Sequence, residues 1–136
     1  MFGMSQNPAK AYKQISTEIA IETADPHRLI LMLFEGAHAA IVVARIHMQE
    51  KKIAEKGAAI SKAIDIITNG LKASLDRERG GEMADRLGAL YDYMAMRLLQ
   101  SNIKNDLKAL DEVSGLLEEI HSAWRSIAPA QQQTVT

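Results

Sequence analysis

The sequence predicts an all-α fold, an antiparallel four-helix bundle with an additional short N-terminal helix. Apolar residues recur at three- and four-residue spacing through four long segments, which is the period of an amphipathic helix. Short polar or glycine-containing connections separate these segments, and neither strand alternation nor an Asn-Gly hairpin interrupts them. Hydrophobic residues make up 47% of the 136, with only three prolines, as expected for a compact helical protein.

The length predicts a single domain over residues 1–136, because a chain of this size forms one core. The polar ends, about 1–8 and 128–136, are expected to be mobile tails. The first long helix should start at Pro26, where a missing N–H costs nothing, with Asp25 as its N-cap. A weaker helix over Ala9–Ala24 precedes it, with a short apolar stripe of Tyr12, Ile15 and Ile19.

The composition excludes several classes of function. The net charge of −1 provides no basic footprint for nucleic acid. The absence of cysteine excludes disulfides and thiolate chemistry. The most apolar stretch, residues 29–44, is shorter than the ~20 residues that span a bilayer, and the N-terminus does not resemble a secretion signal. We therefore expect a soluble, cytoplasmic protein without a membrane segment.

The first long helix, predicted over Pro26–Gln49, carries two apolar stripes. The stripe interpreted as the core face comprises Leu29, Leu33, Gly36, Ala40 and Val43. The neighbouring stripe comprises Ile30, Phe34, Ala37, Ile41 and Met48. Together they form an apolar arc wider than one packing contact requires. The second of these stripes is therefore a candidate for binding a partner.

The next two predicted helices differ in how much apolar surface they carry. One continuous helix is expected over Ile53–Leu75, with Ile53, Ile60 and Leu71 in its core row and Ile66 beside that row. A loop over 76–81 leads to the third helix, Gly80–Asn105. Its predicted core row comprises Met83, Leu87, Leu90, Met94 and Leu98, and a second apolar row comprises Tyr93, Met96, Leu99 and Ile103. A helix that is apolar on two sides needs two partners.

The last predicted helix, Asp106–Ile127, contributes a motif with a chemical meaning. It contains Glu118-x-x-His121, and the first long helix contains Glu35-x-x-His38. Bundles that hold two metal ions use this spacing twice. On a helical wheel these residues lie away from the predicted core rows, so we expect no metal site and no cofactor. A metal-binding bundle is nevertheless one alternative function, and a structural homo-oligomer is another.

No enzyme is expected. The serines lack the glycines of a nucleophile elbow. Gly80-Gly81 lacks both the preceding strand and the Gly-Lys-Ser/Thr ending of a phosphate-binding loop. His27, at the start of the first long helix, is expected to be exposed.

Several segments, in order and at matching spacing, resemble the flagellin-export chaperones of the FliS family. They are Ala11-Tyr12, DPHRLILMLFEGA (25–37), EKGAAISKAIDIITNGLKASLD (55–76), RGGEMADRLGALYDYMAMRLLQSNIKND (79–106) and LDEVSGLLEEIHSAW (110–124). The resemblance covers nearly the whole chain, and only the tails, 1–8 and 125–136, carry no family motif. Such a collinear set is more specific than any single segment.

The resemblance implies a cytoplasmic chaperone that binds the C-terminal segment of flagellin, prevents its premature polymerisation and keeps it competent for export. Components of the flagellar export apparatus are further candidate partners, and a homodimer is an alternative occupant of the extra stripes. The resemblance also implies that the N-terminal segment, anchored by Tyr12, covers part of the binding groove. Helical-wheel positions give the expected partner-binding residues as Tyr12, Ile15, Ile30, Phe34, Ile41, Ile66, Tyr93, Met96, Leu99 and Ile103.

Overall fold

The computed structural model describes residues 25–127, and within this range the chain is all-helical and contains no strand. Four α-helices follow one another: α1 (Pro26–Gln49), α2 (Ile53–Asp65), α3 (Arg77–Lys104) and α4 (Leu107–Arg125). A π-helical segment, Ile66–Lys72, continues α2. Helix α1 packs mainly against α2 and α4, and α3 packs against the same two helices, so that all four surround one core.

The start of α1 confirms the capping prediction. The Asp25 side chain accepts a hydrogen bond from the backbone N–H of Arg28 at 2.7 Å, and Pro26 occupies the first turn. Both ends of α1 agree with the predicted range. The chain then reverses within residues 50–52, where Lys51 adopts a left-handed backbone conformation with φ of 61°.

The core face of α1 differs from the predicted one. The row that includes Phe34, Ala37, Ile41 and Ala44 is at most 3% exposed, whereas Val43 is 43% exposed. The two stripes lie about 100° apart on the helix, so the prediction assigned the inward role to the wrong stripe. Phe34 and Ile41, predicted to lie on a partner-binding stripe, are core residues in this conformation. Their burial is consistent with their size, because large apolar side chains gain the most from leaving water.

The predicted helix over Ile53–Leu75 is not one regular helix. The α-helical hydrogen bonding ends at Asp65 and gives way to the π-helical segment, which turns Ile67 and Leu71 into the core. Gly70 lies in this segment, and a Cβ there would come within 3.0 Å of Leu33 Cδ2 on α1. Ile53, predicted to be in the core row, is 74% exposed at the first position of α2.

The predicted loop over 76–81 is largely helical. Asp76 caps α3 by accepting a hydrogen bond from the backbone N–H of Arg79 at 3.1 Å, and one turn of helix forms before a break at Gly81. Gly81 has φ of 51° and ψ of −125°, a conformation that L side chains rarely adopt, so glycine is required there. The far end of α3 agrees with the prediction, because Asn105 adopts the left-handed conformation of a helix C-terminus with φ of 53°.

The core row of α3 is only partly as predicted. Met94 and Leu98 are fully buried, and Leu87 and Leu90 are partly buried against the core. Met83 is 63% exposed, because it lies on the rim of a cleft instead of under another helix. On α4, Leu110, Val113 and Leu117 follow one another at three- and four-residue spacing, and all three side chains are fully buried.

Helix α1 is long and apolar enough, by length and composition alone, to cross a membrane. One 18-residue window has a mean hydropathy of 1.9. Core helices of soluble proteins have the same property, and the core side chains of α1 pack here against α2 and α4. The predicted N-terminal helix, the stripe of Tyr12, Ile15 and Ile19, and both predicted tails lie outside the described residues.

One buried charged side chain connects α2 to the end of α3. Lys56 is 4% exposed, and its Nζ donates to the backbone carbonyl of Asn102 at 2.9 Å and to Asn105 Oδ1. Replacing it by alanine leaves two acceptors without their donor. We expect Lys56→Ala to lower the free energy of unfolding by about 1–3 kcal/mol, measured by urea denaturation.

Lys62→Ala is the matched control, because Lys62 lies on the same helix and is exposed. It should change the free energy of unfolding by less than about 0.5 kcal/mol. Equal effects of the two substitutions would show that the contacts of Lys56 do not stabilise the fold.

Candidate functional site

The second apolar row of α3 lies on the surface, as its spacing predicted. Tyr93, Met96, Leu99 and Ile103 are 38, 47, 53 and 71% exposed. At about 1.5 Å per residue they extend over roughly 15 Å of the helix. We refer to these four residues as the outer row. Because the opposite side of α3 is already packed in the core, the outer row can bind a further partner without any change in the helix.

A polar network borders the outer row and connects α3 to α4. The Tyr93 hydroxyl donates to Glu112 Oε2 at 2.5 Å, and Arg97 Nε donates to Glu112 Oε1 at 2.7 Å. Arg97 Nη1 also donates to Gln100 Oε1 at 2.9 Å. Both carboxylate oxygens of Glu112 are therefore engaged, and the network fixes the position of the Tyr93 ring beside the apolar side chains.

The same contacts shift the titration of the network. The hydrogen bond from Tyr93, followed by that from Arg97, holds the pKa of Glu112 below its ordinary value of 4.5. In the other direction, the hydrogen bond to Glu112 raises the pKa of Tyr93. The folded network therefore contains an ionised Glu112 and a protonated Tyr93 at neutral pH.

An apolar cleft of about 280 Å³ opens beside the first turns of α1. Its lining includes Ile30 and Phe34 of α1, Met83 and Tyr91 of α3, and Trp124 of α4. Burial raises the pKa of Tyr91 to about 12. The Trp124 indole N–H donates to the backbone carbonyl of His27 at 3.0 Å. The sequence prediction did not include Tyr91 or Trp124 among the site residues, although both lie on helical rows.

The remaining predicted site residues fall into three groups. Ile30 and Ile66 are half-buried and pack against the edge of the core. Phe34 and Ile41 are buried, so their predicted place on an accessible stripe is wrong for this conformation. Tyr12 and Ile15 lie outside the described residues. The partner-binding role of the predicted set stays a prediction.

A second exposed apolar surface was missed. Val42, Val43 and Ile46 on α1 and Ile53 on α2 are 43–74% exposed. A cleft of about 350 Å³ lies between the two helices, lined by residues that include Ala39, Val43, Ala58 and Lys62. The sequence analysis missed this surface because it interpreted Val43 as a core residue of α1.

Three of the four residues of the two Glu-x-x-His motifs, His38, Glu118 and His121, meet at the contact between α1 and α4. His38 Nε2 lies 3.6 Å from Glu118 Oε1, and His121 Nδ1 lies 3.8 Å from the same oxygen. The wheel positions placed these side chains away from the core rows, which holds for the exposed Glu35 and Glu118 but not for His121, which is buried. His27 was expected to be exposed, but it is buried and stacks on Trp124 with ring centroids 5.2 Å apart.

These features define a helical protein with an apolar helix face open to a partner. The chain matches the family model "Flagellar protein FliS" over residues 8–131. It is 55% identical over 120 residues to the flagellar secretion chaperone FliS of Salmonella typhimurium, covering 88% of this chain and 89% of that protein.

Two further relatives extend the comparison. The chain is 48% identical over 119 residues to the flagellar secretion chaperone FliSB of Pseudomonas aeruginosa, covering 88% of this chain and 94% of the relative. It is 36% identical over 128 residues to the flagellar secretion chaperone FliS of Bacillus subtilis, covering 94% and 91%. The chain belongs to the FliS family, which confirms the resemblance inferred from its sequence segments. These relatives are named as chaperones, and none of the names denotes an enzyme.

The hydrogen bond between Tyr93 and Glu112 can be tested through the pKa of Glu112. We expect Tyr93→Phe to raise the pKa of Glu112 towards 4.5, measured by a carboxyl ¹³C NMR titration, because the substitution removes the larger cause of its depression. Glu112 stabilises the fold above its unfolded-state pKa, and this contribution is lost as the pH falls through the lower folded-state pKa. Tyr93→Phe should therefore make stability less sensitive to pH in that acidic window.

Tyr91→Phe is the matched control, since Tyr91 lies two residues away on the buried side of α3. It should leave the titration of Glu112 unchanged. An unchanged Glu112 pKa in Tyr93→Phe itself would show that the hydrogen bond does not persist in solution.

Proposed function

We propose that this protein is a cytoplasmic export chaperone that binds the C-terminal segment of flagellin, prevents its premature polymerisation and keeps it competent for flagellar export. Membership of the FliS family supports the chaperone role. The exposed outer row of α3 is the observation that supports the mode of binding. Components of the flagellar export apparatus are further candidate partners.

The outer row fits an amphipathic helical segment. Met96, Leu99 and Ile103 follow one another at three- and four-residue spacing, which matches the spacing of apolar anchors along a second helix. Burial of each half-exposed side chain of this size contributes about 1 kcal/mol. Methionine suits such a surface because its flexible side chain adapts to a partner of irregular shape.

The proposed scaffold is a single-domain antiparallel bundle. The connections over residues 50–52 and 105–106 are too short for successive helices to run parallel. Opposed helices with one shared core hold the outer row rigid, so binding costs little reorganisation of the chaperone. Most of the ordering cost then falls on the flagellin segment.

Apolar burial drives the proposed binding, with charge in a secondary role. The chain carries a net charge of only −1, and the outer row contains no ionisable group except the tyrosine hydroxyl. Calorimetric titration with a flagellin C-terminal peptide should therefore show a negative heat-capacity change and little dependence on salt.

Substitutions in the outer row test the site. We expect Met96→Asp and Ile103→Asp each to weaken peptide binding at least about ten-fold, because a carboxylate buried against an apolar ligand loses its hydration without gaining a partner. Both side chains face solvent in the free protein, so both variants should keep the wild-type helical content and thermal transition. Calorimetric titration measures the affinities.

Ile46→Asp is the matched control, since Ile46 on α1 is 47% exposed, as Met96 is. It should bind like the wild type. If Ile46→Asp loses as much affinity as Met96→Asp, or if neither outer-row variant loses any, the outer row is not the docking surface. A second copy of this chain is the alternative occupant, and it would give a dimeric mass in sedimentation that both outer-row variants abolish.

The N-terminal segment provides a second test. The apolar cleft beside the first turns of α1 lies near the point where this segment joins the described residues. We propose that the segment around Tyr12, Ile15 and Ile19 covers part of the groove and is displaced by flagellin. A cover that must leave lowers the apparent affinity, because only the uncovered fraction binds. Deleting residues 1–15 should keep or raise the affinity for the peptide.

Deleting residues 1–8 alone is the control, because it leaves the Tyr12 stripe in place. It should not change the affinity. Loss of binding in the longer deletion, with the thermal transition preserved, would mean that the segment contacts flagellin directly and does not act as a cover.

A further inference from the structure

The contact between α1 and α4 contains a cluster of three potential metal ligands that the chaperone role does not explain. The ligand atoms of His38, Glu118 and His121 lie within 4.8 Å of one another. His38 comes from α1, and the other two come from successive turns of α4 at i, i+3 spacing. The cluster therefore bridges two helices that are far apart in sequence.

The two imidazoles are held in place by packing. The His121 ring lies flat against Phe34, with centroids 5.1 Å apart and planes inclined by 5°. The His38 ring lies 5.4 Å from the His121 ring. His121 is 5% exposed, so water cannot freely solvate its ring.

The polar atoms of the three side chains are not hydrogen-bonded to one another. His38 Nε2 is buried and has no hydrogen-bond partner among the described residues. Glu118 Oε1 lies 3.6 and 3.8 Å from the nearest nitrogens of His38 and His121, too far for either bond. A buried polar atom without a partner, such as His38 Nε2, costs free energy, and a cation bound between the three side chains removes that cost.

We propose that His38, Glu118 and His121 form a Zn²⁺ site that connects α1 to α4. Two imidazoles and one carboxylate with an open fourth position are a donor set that zinc uses in proteins. Zinc bonds of about 2.0–2.1 Å in tetrahedral geometry place neighbouring ligand atoms about 3.3 Å apart. The two nitrogen–oxygen distances exceed this by less than 1 Å, and all three ligand atoms lie within 4.8 Å of one another, so rotation of the side chains towards one another completes the site.

The side chains around Glu118 leave its Oε1 available to bind a metal ion. Arg125 Nη2 donates to Glu118 Oε2 at 2.8 Å, which orients the carboxylate so that Oε1 faces the imidazoles. Arg125 Nη1 also lies 3.4 Å from both ring nitrogens of His121, so a bound cation must displace Nη1 from the ring while Nη2 keeps its bond to Glu118 Oε2.

Calorimetric titration of the untagged full chain with zinc chloride tests the proposal. We expect one Zn²⁺ per chain with a Kd of about 10 μM or tighter. His38→Ala and Glu118→Gln should each weaken binding at least about ten-fold, because each removes one of three ligands. Zinc should also raise the Tm of the wild type but not of these variants, since the ion connects α1 to α4 only when all three ligands are present.

His47→Ala is the matched control. His47 lies on α1 as His38 does, and its Nδ1 is 3.7 Å from Glu50, but within residues 25–127 it belongs to no cluster of three potential ligands. This variant should bind zinc like the wild type. Absence of binding at the stated affinity, unchanged binding in both ligand variants, or an equal loss in His47→Ala would overturn the proposal.

A second measurement does not depend on the folding of any variant. The chain has four histidines, so imidazole ¹⁵N spectra of the wild-type protein resolve each ring. Zinc should shift the resonances of His38 and His121 and leave those of His27 and His47 in place. Shifts confined to His27 or His47 would contradict the assignment.

Discussion

The burial of one side of α3 is the constraint on which the rest of the structure depends. Met94, Leu98 and Ser101 are fully buried, and the Ser101 hydroxyl is satisfied within the helix by the Leu98 carbonyl at 2.6 Å. With this side fixed in the core, the geometry of about 100° per residue places Met96, Leu99 and Ile103 on the opposite side. The outer row is exposed because the helix cannot bury both rows against the described part of the chain.

The contacts around α3 keep that orientation fixed. Glu112 on α4 binds Tyr93 and Arg97 on one flank of the helix, and Lys72 binds Asp92 at 2.7 Å on the other. At the C-terminal end of α3, Lys56 donates hydrogen bonds to Asn102 and Asn105. The exposed pairs among these contacts provide little stability, but together with the buried Lys56 they restrict rotation of α3 about its axis. A rigid row binds a flexible segment with less loss of conformational entropy in the chaperone.

Local signals in the sequence predicted the helices well, and long-range packing limited the rest. Asp25, Asp76 and Asp106 each accept a hydrogen bond from the backbone N–H three residues later, but only the start of α1 was predicted from its cap. The start of α3 at Arg77 was missed, because residues 76–81 were predicted to form a loop. The core face of α1 could not be predicted, because two apolar stripes lie side by side and only the neighbouring helices decide between them. The π-helical segment could not be predicted either, because its Gly70 packs against Leu33, a residue distant in the sequence.

In the candidate site too, local spacing could be predicted from the sequence, whereas contacts between distant residues could not. The outer row of α3 could be predicted because its spacing is clear and the opposite row is equally clear. Phe34 and Ile41 were misplaced with the stripe to which they belong, and the exposed surface around Val42 and Ile46 was missed for the same reason. The meeting of His38 with Glu118 required the register of α1 against α4, which no local pattern contains.

Methyl NMR of the labelled chain, titrated with a flagellin C-terminal peptide, tests the central claim most directly. The account predicts that the methyl resonances of Met96, Leu99 and Ile103 shift on binding. The resonances of Val42 and Ile46, equally exposed on α1, should stay in place. Shifts confined to Val42 and Ile46, with the outer row unchanged, would contradict the proposal that the second apolar side of α3 is the surface that receives flagellin.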